Sequence, residues 1–203
     1  MTLVAVLDYE AGNLHSAAKA LERAGAEAIV TSDAEQARTC DALVVPGVGH
    51  FGQCVRQFRH AELEPLVHDW VAEGKPVLGI CIGMQILYGS SEEDGRAAGL
   101  ALLPGRVRRL PADVTVPHMG WDTVDASRPD PLLEGVAGER TYFVHSYYAE
   151  PSDAAHVVAT CDYGPGFPCV VRVGSVVGVQ FHPEKSGAVG GRLLANWLQE
   201  LVG

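Results

Sequence analysis

The chain has 203 residues, a formal net charge of −10 and 47% hydrophobic residues. This composition excludes intrinsic disorder and favours a single globular domain over residues 1–203. The excess of carboxylates would repel a phosphate backbone, so we expect no nucleic-acid partner. No apolar run approaches the roughly 18 to 20 residues that cross a bilayer. Five scattered cysteines without a CxxC pair are typical of a reducing compartment. We therefore expect a cytoplasmic protein with no membrane contact and no bound metal.

Short apolar runs alternate with amphipathic segments in the first part of the chain. Buried strands are predicted at residues 3–7, 28–30, 42–45 and 76–80. Apolar residues at helical spacing predict one helix that ends before Gly25 and another that ends before Gly74. Strands that alternate with helices indicate an α/β fold with a largely parallel sheet and flanking helices.

In the second half of the chain, turn residues separate short β-prone runs, and no long helical period occurs. Further strands are predicted at residues 106–110, 141–148, 157–161 and 170–173. We expect them to add antiparallel strands to the same sheet. A final amphipathic helix around 194–201 can cover one face of that sheet.

The sequence GICIG at 79–83 follows an apolar run and precedes a short predicted helix. A strand, a tight turn and a helix in this order can present a nucleophile at the carboxyl edge of a sheet, and glycines relieve the crowding around it. The amide dipoles at the helix start favour the thiolate, which is the reactive form. We therefore predict Cys81 as a nucleophile. Taken alone, the motif fits a buried cysteine with incidental glycines equally well.

Of the eight histidines, His182 has the context of a catalytic base, because it ends a long apolar run and precedes Pro-Glu. In extended backbone, residues two apart project to the same side, so Glu184 can accept a hydrogen bond from His182 and fix its tautomer. His182 would then take the proton of Cys81. Each residue alone would usually be structural. The two can meet only if their strands end at the same edge, as in a parallel pair.

A third motif, PGVG at 46–49, ends another apolar run. Acyl transfer needs backbone N–H donors aimed at the developing oxyanion, and a glycine-rich turn beside the nucleophile can supply them. We predict an oxyanion hole formed by Val48, Gly49 and Ile82. By itself, a PGxG turn is more often a simple chain reversal.

Together, PGVG, GICIGMQ and HPEKS resemble the motifs of class I, or triad-type, glutamine amidotransferases. The segments MGW at 119–121 and YFVHSYY at 142–148 are similar to those of one branch, the glutaminase subunits of imidazole glycerol phosphate synthase. The resemblance covers essentially the whole chain. It implies a flavodoxin-like α/β fold and no cofactor.

The resemblance also implies a reaction and a set of residue roles. Cys81 would attack the side-chain amide of L-glutamine, His182 would protonate the leaving ammonia, and Glu184 would orient His182. Water would then hydrolyse the γ-glutamyl thioester. The residues implied to hold the substrate are Gly47, Gln85, Ser146 and Tyr147.

The resemblance further implies a partner, since one glutaminase domain accounts for the whole chain. That partner is a HisF-type (β/α)8 cyclase subunit, which uses the ammonia to form imidazole glycerol phosphate and AICAR ribonucleotide in histidine biosynthesis. The residues implied to face it or the ammonia path are Asn13, Met119, Trp121, Tyr142 and Lys185. The family usually has Asn after MGW, whereas this chain has Asp122, which receives no role.

Two alternatives remain open at the level of sequence. One is the amidotransferase subunit of another pathway, such as anthranilate or pyridoxal phosphate synthesis, and the HPEKS and YFVHSYY segments argue against it. The other is a non-catalytic protein whose cysteine senses oxidants. A complete Cys/His/Glu set is hard to explain under that second view.

Overall fold

The computed structural model describes residues 2–202, so the end residues 1 and 203 of the predicted domain lie outside the described range. Its α-helices are α1 (Leu14–Ala24), α2 (Ala34–Arg38), α3 (Phe51–His60), α4 (Leu63–Ala72), α5 (Ile82–Gln85) and α6 (Gly187–Glu200). Its strands are β1 (Leu3–Leu7), β2 (Glu27–Thr31), β3 (Ala42–Val45), β4 (Val77–Ile80), β5 (Gly105–Arg109), β6 (His118–Thr123), β7 (Asp125–Ala126), β8 (Arg140–His145), β9 (Tyr147–Pro151), β10 (Val157–Cys161), β11 (Phe167–Val173) and β12 (Val176–Val179). Short 3₁₀ helices cover Pro131–Leu133, Ala154–His156 and Pro183–Lys185.

An eight-stranded sheet forms the centre of the molecule, in the order β2-β1-β3-β4-β12-β11-β10-β7. The strands from β2 to β12 in this order pair in parallel, and the last three are antiparallel to their neighbours. The predicted α/β class, with a largely parallel sheet and added antiparallel strands, is therefore confirmed. The register pairs Ile80 with Val179, so β4 and β12 end at the same edge.

The local patterns that predicted the first elements act as expected. The strands β1, β3 and β4 are almost wholly buried, as their continuous apolar runs require. Helix α1 ends at Gly25, whose φ of 108° lies in the left-handed region that terminates helices. Helix α1 packs against α6, and α3 packs against α4. No helix within residues 2–202 is long and apolar enough to cross a membrane.

The second half departs from expectation in one respect. The predicted strand over 141–148 is divided at Ser146 into β8 and β9, which pair with β6 and β5 in two separate antiparallel ribbons. The prediction that the strands over 106–110 and 141–148 join the main sheet is therefore wrong, whereas those predicted over 157–161 and 170–173 do join it, as β10 and β11. The cause is a contact with a distant segment. At Ser146, where the chain passes from pairing with β6 to pairing with β5, the carbonyl of Ser146 accepts a hydrogen bond from the N–H of Leu110 (2.9 Å). No glycine or proline marks this break in the sequence.

Candidate active site

Cys81 lies between β4 and α5 in a strained backbone conformation, with φ 54° and ψ −114°. Gly79 and Gly83, on either side of Cys81, are required because a side chain at either position would clash with the surrounding backbone. A Cβ on Gly79 would lie 2.7 Å from the Cα of Met84, and one on Gly83 would lie 1.8 Å from the carbonyl oxygen of Val45. Strain of this kind persists where the surroundings enforce it, as in nucleophile turns. The fold therefore holds the thiol at the carboxyl edge of the sheet.

His182 and Glu184 form a buried pair at the same edge. Nδ1 of His182 donates to Oε1 of Glu184 at 2.8 Å, and the two side chains are 1% and 5% exposed. The predicted proximity is found, but its geometric basis differs. Strand β12 ends at Val179, and the 3₁₀ helix Pro183–Lys185 brings Glu184 back to the ring, where an extended strand was expected. The hydrogen bond leaves Nε2 of His182 as the nitrogen free to exchange a proton.

The environment of His182 favours its protonated form. Burial lowers its pKa, but the neighbouring Cys81 sulfur and Glu184 carboxylate outweigh burial and raise the pKa to about 9. Among the described residues, Nε2 of His182 has no partner that meets normal hydrogen-bond geometry. The effect of Cys81 is therefore one of electrostatic proximity, in a contact that can tighten when substrate binds.

His145 also lies in the wall of the site, but it cannot compete as the base. Its Nδ1 donates to the carbonyl of Tyr147 (2.9 Å), so its Nε2 accepts the hydrogen bond from Nδ1 of His118 (3.2 Å). Burial lowers the pKa of His145 to about 3, which keeps the ring neutral. Both ring nitrogens are thus occupied, and His182 alone of these three histidines offers a free nitrogen to the cavity.

Glu184, the third predicted catalytic residue, is the hydrogen-bond partner of His182, and both Cys81 and His182 line a cavity of about 240 Å³. Its lining contains Cys81 and His182 together with Val48, Gly49, Ile82, Gln85, Glu93, Pro117, Val144, His145, Ser146 and Tyr147. Of the predicted substrate and oxyanion residues, Gly47 is the one that does not line it. A larger cavity, of about 610 Å³, lies at the opposite edge of the sheet near Lys75 and Trp197, and its lining includes no histidine.

Gly47 instead fixes the position of the oxyanion turn. A Cβ at Gly47 would lie 2.8 Å from the backbone nitrogen of Gly83, so the turn and the nucleophile helix touch. On its outer side, the turn is held by Cys54 of α3, whose thiol donates to the carbonyl of Val48 (3.7 Å). Burial, followed by Glu93 and Cys81, raises the pKa of Cys54 to about 11, so this thiol keeps its proton. Gly49 has φ 115°, a conformation that favours glycine.

Gln85 lines the cavity and has an unused acceptor. Its Nε2 donates to the carbonyl of Tyr147 (2.8 Å) and to Oε1 of Gln180 (3.0 Å). Its Oε1 is buried and has no partner within residues 2–202. Nearby, Oε2 of Glu93 accepts the N–H of Phe51 (2.7 Å). An amide oxygen and a carboxylate together can bind an ammonium group. Sequence reasoning missed Glu93 and Gln180, although Gln180 lies two residues before the predicted base His182.

Four of the five predicted partner residues, namely Met119, Trp121, Lys185 and the half-buried Tyr142, form a patch on the surface, here called the exposed patch. Met119 and Trp121 are 62% and 52% exposed. Trp121 pairs with Tyr142 across the β6–β8 ribbon, and Nζ of Lys185 lies 5.8 Å from the centre of the Tyr142 ring. Asn13 is exposed at the start of α1. Exposed large apolar side chains in a cluster are typical of an interaction surface.

One group of side chains in the described part of the chain has the donor types of a metal site. His118, Asp122 and Cys161 have ligand atoms within 4.8 Å of one another, and Nε2 of His118 lies 3.4 Å from Oδ2 of Asp122. The sequence spacing did not reveal this group, because the fold brings β6 and β10 together. Burial lowers the pKa of His118, and burial followed by Asp122 raises that of Cys161. None of the three residues lines the cavity that holds Cys81.

Comparisons with known proteins agree with this geometry. The model of the family "Glutamine amidotransferase class-I" matches residues 5–201. A solved structure described as a glutamine amidotransferase superposes with a TM-score of 0.79 and 25% identity, covering 98% of this chain and 99% of that one.

Curated relatives narrow the assignment. Imidazole glycerol phosphate synthase subunit HisH of Halobacterium salinarum is 48% identical, with 96% of this chain and 92% of the relative covered. The protein of the same name from Shouchella clausii is 44% identical, with 99% and 100% covered. The chain therefore belongs to the class-I glutamine amidotransferase family, and within it to the family of the HisH subunits. The enzyme class that the motifs predict is confirmed.

Proposed function

We propose that this chain is the glutaminase subunit of an imidazole glycerol phosphate synthase in histidine biosynthesis, acting as one domain over residues 1–203. It hydrolyses L-glutamine and passes the ammonia to a separate cyclase subunit. The observation that carries the proposal is the convergence of Cys81 and the His182–Glu184 pair on one cavity of about 240 Å³. The names of the relatives, each a subunit of imidazole glycerol phosphate synthase, support the choice of this synthase.

Substrate binding uses the polar groups that the cavity leaves available. The α-ammonium of glutamine binds the free Oε1 of Gln85 and the carboxylate of Glu93. Ser146 and Tyr147, which also line the cavity, hold the α-carboxylate. These contacts direct the side-chain amide toward Cys81 and hold the reacting atoms in position.

The reaction then proceeds through successive proton transfers by His182. Nε2 of His182 takes the thiol proton of Cys81, which gives a thiolate and the imidazolium that the raised pKa of His182 favours, and the thiolate sulfur attacks the amide carbon. Backbone N–H groups of Val48 or Gly49 and of Ile82 stabilise the oxyanion. As the C–N bond breaks, the imidazolium gives its proton to the leaving nitrogen, so ammonia departs and a thioester remains. His182 next takes a proton from water, which attacks the thioester and releases glutamate, and the thiol regains its proton.

The partner in this proposal is a HisF-type (β/α)8 cyclase subunit, which docks on the patch of Met119, Trp121, Tyr142 and Lys185. It uses the ammonia to form imidazole glycerol phosphate and AICAR ribonucleotide. The heterodimer needs no cofactor in its glutaminase half, because thiol, imidazole and backbone donors suffice for amide hydrolysis. Five free thiols favour a cytoplasmic location.

The test uses the chain in complex with a purified barrel subunit. Cys81→Ala should abolish glutamine-dependent synthesis while synthesis driven by added ammonium salt continues, because only ammonia production is lost. Cys40→Ala, at a thiol remote from the cavity, is the control and should retain both activities. Glutamine hydrolysis by the Cys81→Ala complex at a near wild-type rate would show that Cys81 is not the nucleophile.

A further inference from the structure

Gln180 is a wholly buried side chain that reaches the nucleophile although no step of the mechanism above uses it. It follows β12, is 0% exposed and lies two residues before His182. Its Nε2 lies 3.6 Å from the sulfur of Cys81, a normal distance for an N–H donor to sulfur. A buried amide has two donors and one carbonyl to satisfy, so its placement beside a thiol requires a reason.

The orientation of the Gln180 amide is fixed by its neighbours. The carbonyl of Tyr147 can only accept, so the nitrogen of the Gln85 amide must face it (2.8 Å). That nitrogen also faces Gln180 at 3.0 Å, so the atom of Gln180 directed at it must be the oxygen. The remaining amide group of Gln180, its NH₂, is thereby directed at Cys81. The carbonyl of Tyr147 thus fixes the orientation of the Gln85 amide, which in turn fixes that of Gln180, so that an N–H group and not an oxygen faces the sulfur.

The sulfur has a second polar neighbour of opposite effect. The carbonyl oxygen of Val144 lies 4.0 Å from Sγ of Cys81 and can accept the S–H of the thiol. Its partial negative charge disfavours a thiolate at the same place, whereas the N–H of Gln180 favours one. The donor from Gln180 therefore offsets the carbonyl at the stage when the sulfur becomes an anion.

We propose that Gln180 is a positioning residue for Cys81: its side-chain N–H holds the thiolate beside His182, and Gln85 holds Gln180. The inference rests on the proposed function, in which Cys81 is the nucleophile and Gln85 binds the substrate ammonium. It adds a physical link between Cys81 and Gln85. The bound ammonium polarises the Gln85 amide, which strengthens the hydrogen bond from Gln85 to Gln180 and then the one from Gln180 to the sulfur of Cys81.

Two substitutions separate this role from simple packing. Gln180→Met keeps the length of the side chain and removes the donor, and Gln180→Glu keeps an acceptor for Gln85 but presents an oxygen to the sulfur. Loss of one hydrogen bond to a charged group predicts a decrease in kcat of roughly 10- to 150-fold for Gln180→Met. Its KM should change by less than about threefold, because Gln85 keeps its bond to Tyr147. Gln180→Glu should be the slower variant. Gln199→Met, at an exposed glutamine of α6, is the matched control.

A substrate-free readout tests the sulfur directly. The rate of iodoacetamide alkylation of Cys81 in the isolated chain, corrected with Cys81→Ala, should fall in both Gln180 variants, and its pH profile should move to higher pH. The variants should unfold thermally like the wild type within a few degrees. In wild-type chain, alkylation of Cys81 should shift the NMR signal of the Gln180 side-chain amide, a measurement that needs no substitution.

The outcomes are distinguishable. If Cys81→Ala retains glutaminase activity, the proposed function fails. If Cys81→Ala is inactive but both Gln180 variants turn over and alkylate like the wild type, only the role of Gln180 is overturned. An unchanged Gln180 amide signal after alkylation overturns it as well, even if neither variant folds.

Discussion

The contact between the nucleophile helix and the oxyanion turn can be tested by adding a single methyl group. Gly83 lies in α5 outside the left-handed region, so Gly83→Ala introduces no backbone strain. Its Cβ would lie 1.8 Å from the carbonyl oxygen of Val45, the last residue of β3, and the two must separate to at least 3.0 Å. The added Cβ and the carbonyl oxygen of Val45 are each bonded directly to the backbone, so they cannot separate by a change of rotamer, and α5 must move away from the PGVG turn. Overpacking of this kind costs about 1–3 kcal/mol.

The measurement is thermal unfolding together with glutaminase kinetics of the complex. For a chain of this length, the cost corresponds to a decrease in Tm of about 2–12 °C. Displacement of the oxyanion donors relative to Cys81 should lower kcat by about 100-fold. Gly191→Ala in α6 is the control: nothing lies within 4 Å of its Cβ, and it should stabilise the chain by about 0.5–1 kcal/mol. Wild-type Tm and kcat in Gly83→Ala would refute the reasoning.

Three further predictions concern the residues around the cavity. His182→Ala should abolish glutaminase activity, whereas Glu184→Gln should lower kcat by about 10- to 150-fold, because it removes one charged hydrogen bond and leaves the base in place; equal, complete loss in both would contradict this ranking. Lys185→Ala should raise the glutamine consumed per product formed by the complex without changing its Tm, and an unchanged ratio would mean a solvated lysine of no consequence. For His145, the folded pKa of about 3 lies below the unfolded value of about 6.5, so its contribution to stability is complete above pH 6.5 and is lost as pH falls toward 3. The free energy of unfolding, measured with urea between about pH 5.5 and 4, should change with pH by about 1.4 kcal/mol per pH unit less in His145→Gln than in the wild type or in the exposed control His60→Gln; an equal dependence on pH would mean that His145 is not held neutral.

Local patterns in the sequence were sufficient for the parallel half of the fold. Strands β1, β3 and β4 are continuous apolar runs, and Gly25 terminates α1 in the conformation that its residue type favours. The ribbons were not predictable in the same way. The run over 141–148 is uniformly β-prone, and its division between two partners depends on contacts with distant segments such as Leu110.

The site shows the same division between local and tertiary information. Cys81 and His182 were identifiable because reactive side chains stood at predicted strand ends. Glu93 lies in a polar stretch, SSEEDG at 90–95, without periodicity, so its place in the cavity wall depends on the fold. Gln180 carries no reactive chemistry, and its relevance appears only through its distance from the sulfur.

The position of the cavity relative to the exposed patch follows from the register of the β6–β8 ribbon. Trp121 pairs with Tyr142 and Met119 with Val144, so these four side chains share one face of the ribbon. The first three belong to the exposed patch, whereas Val144 lines the cavity and its carbonyl faces the sulfur of Cys81. The face therefore continues from the surface into the active site. A subunit seated on this face would contact the β6–β8 ribbon, which carries Val144 of the cavity wall. Displacement of β8 by such a subunit would also move the carbonyl that opposes Gln180 at the sulfur, which gives docking a direct physical route to the nucleophile.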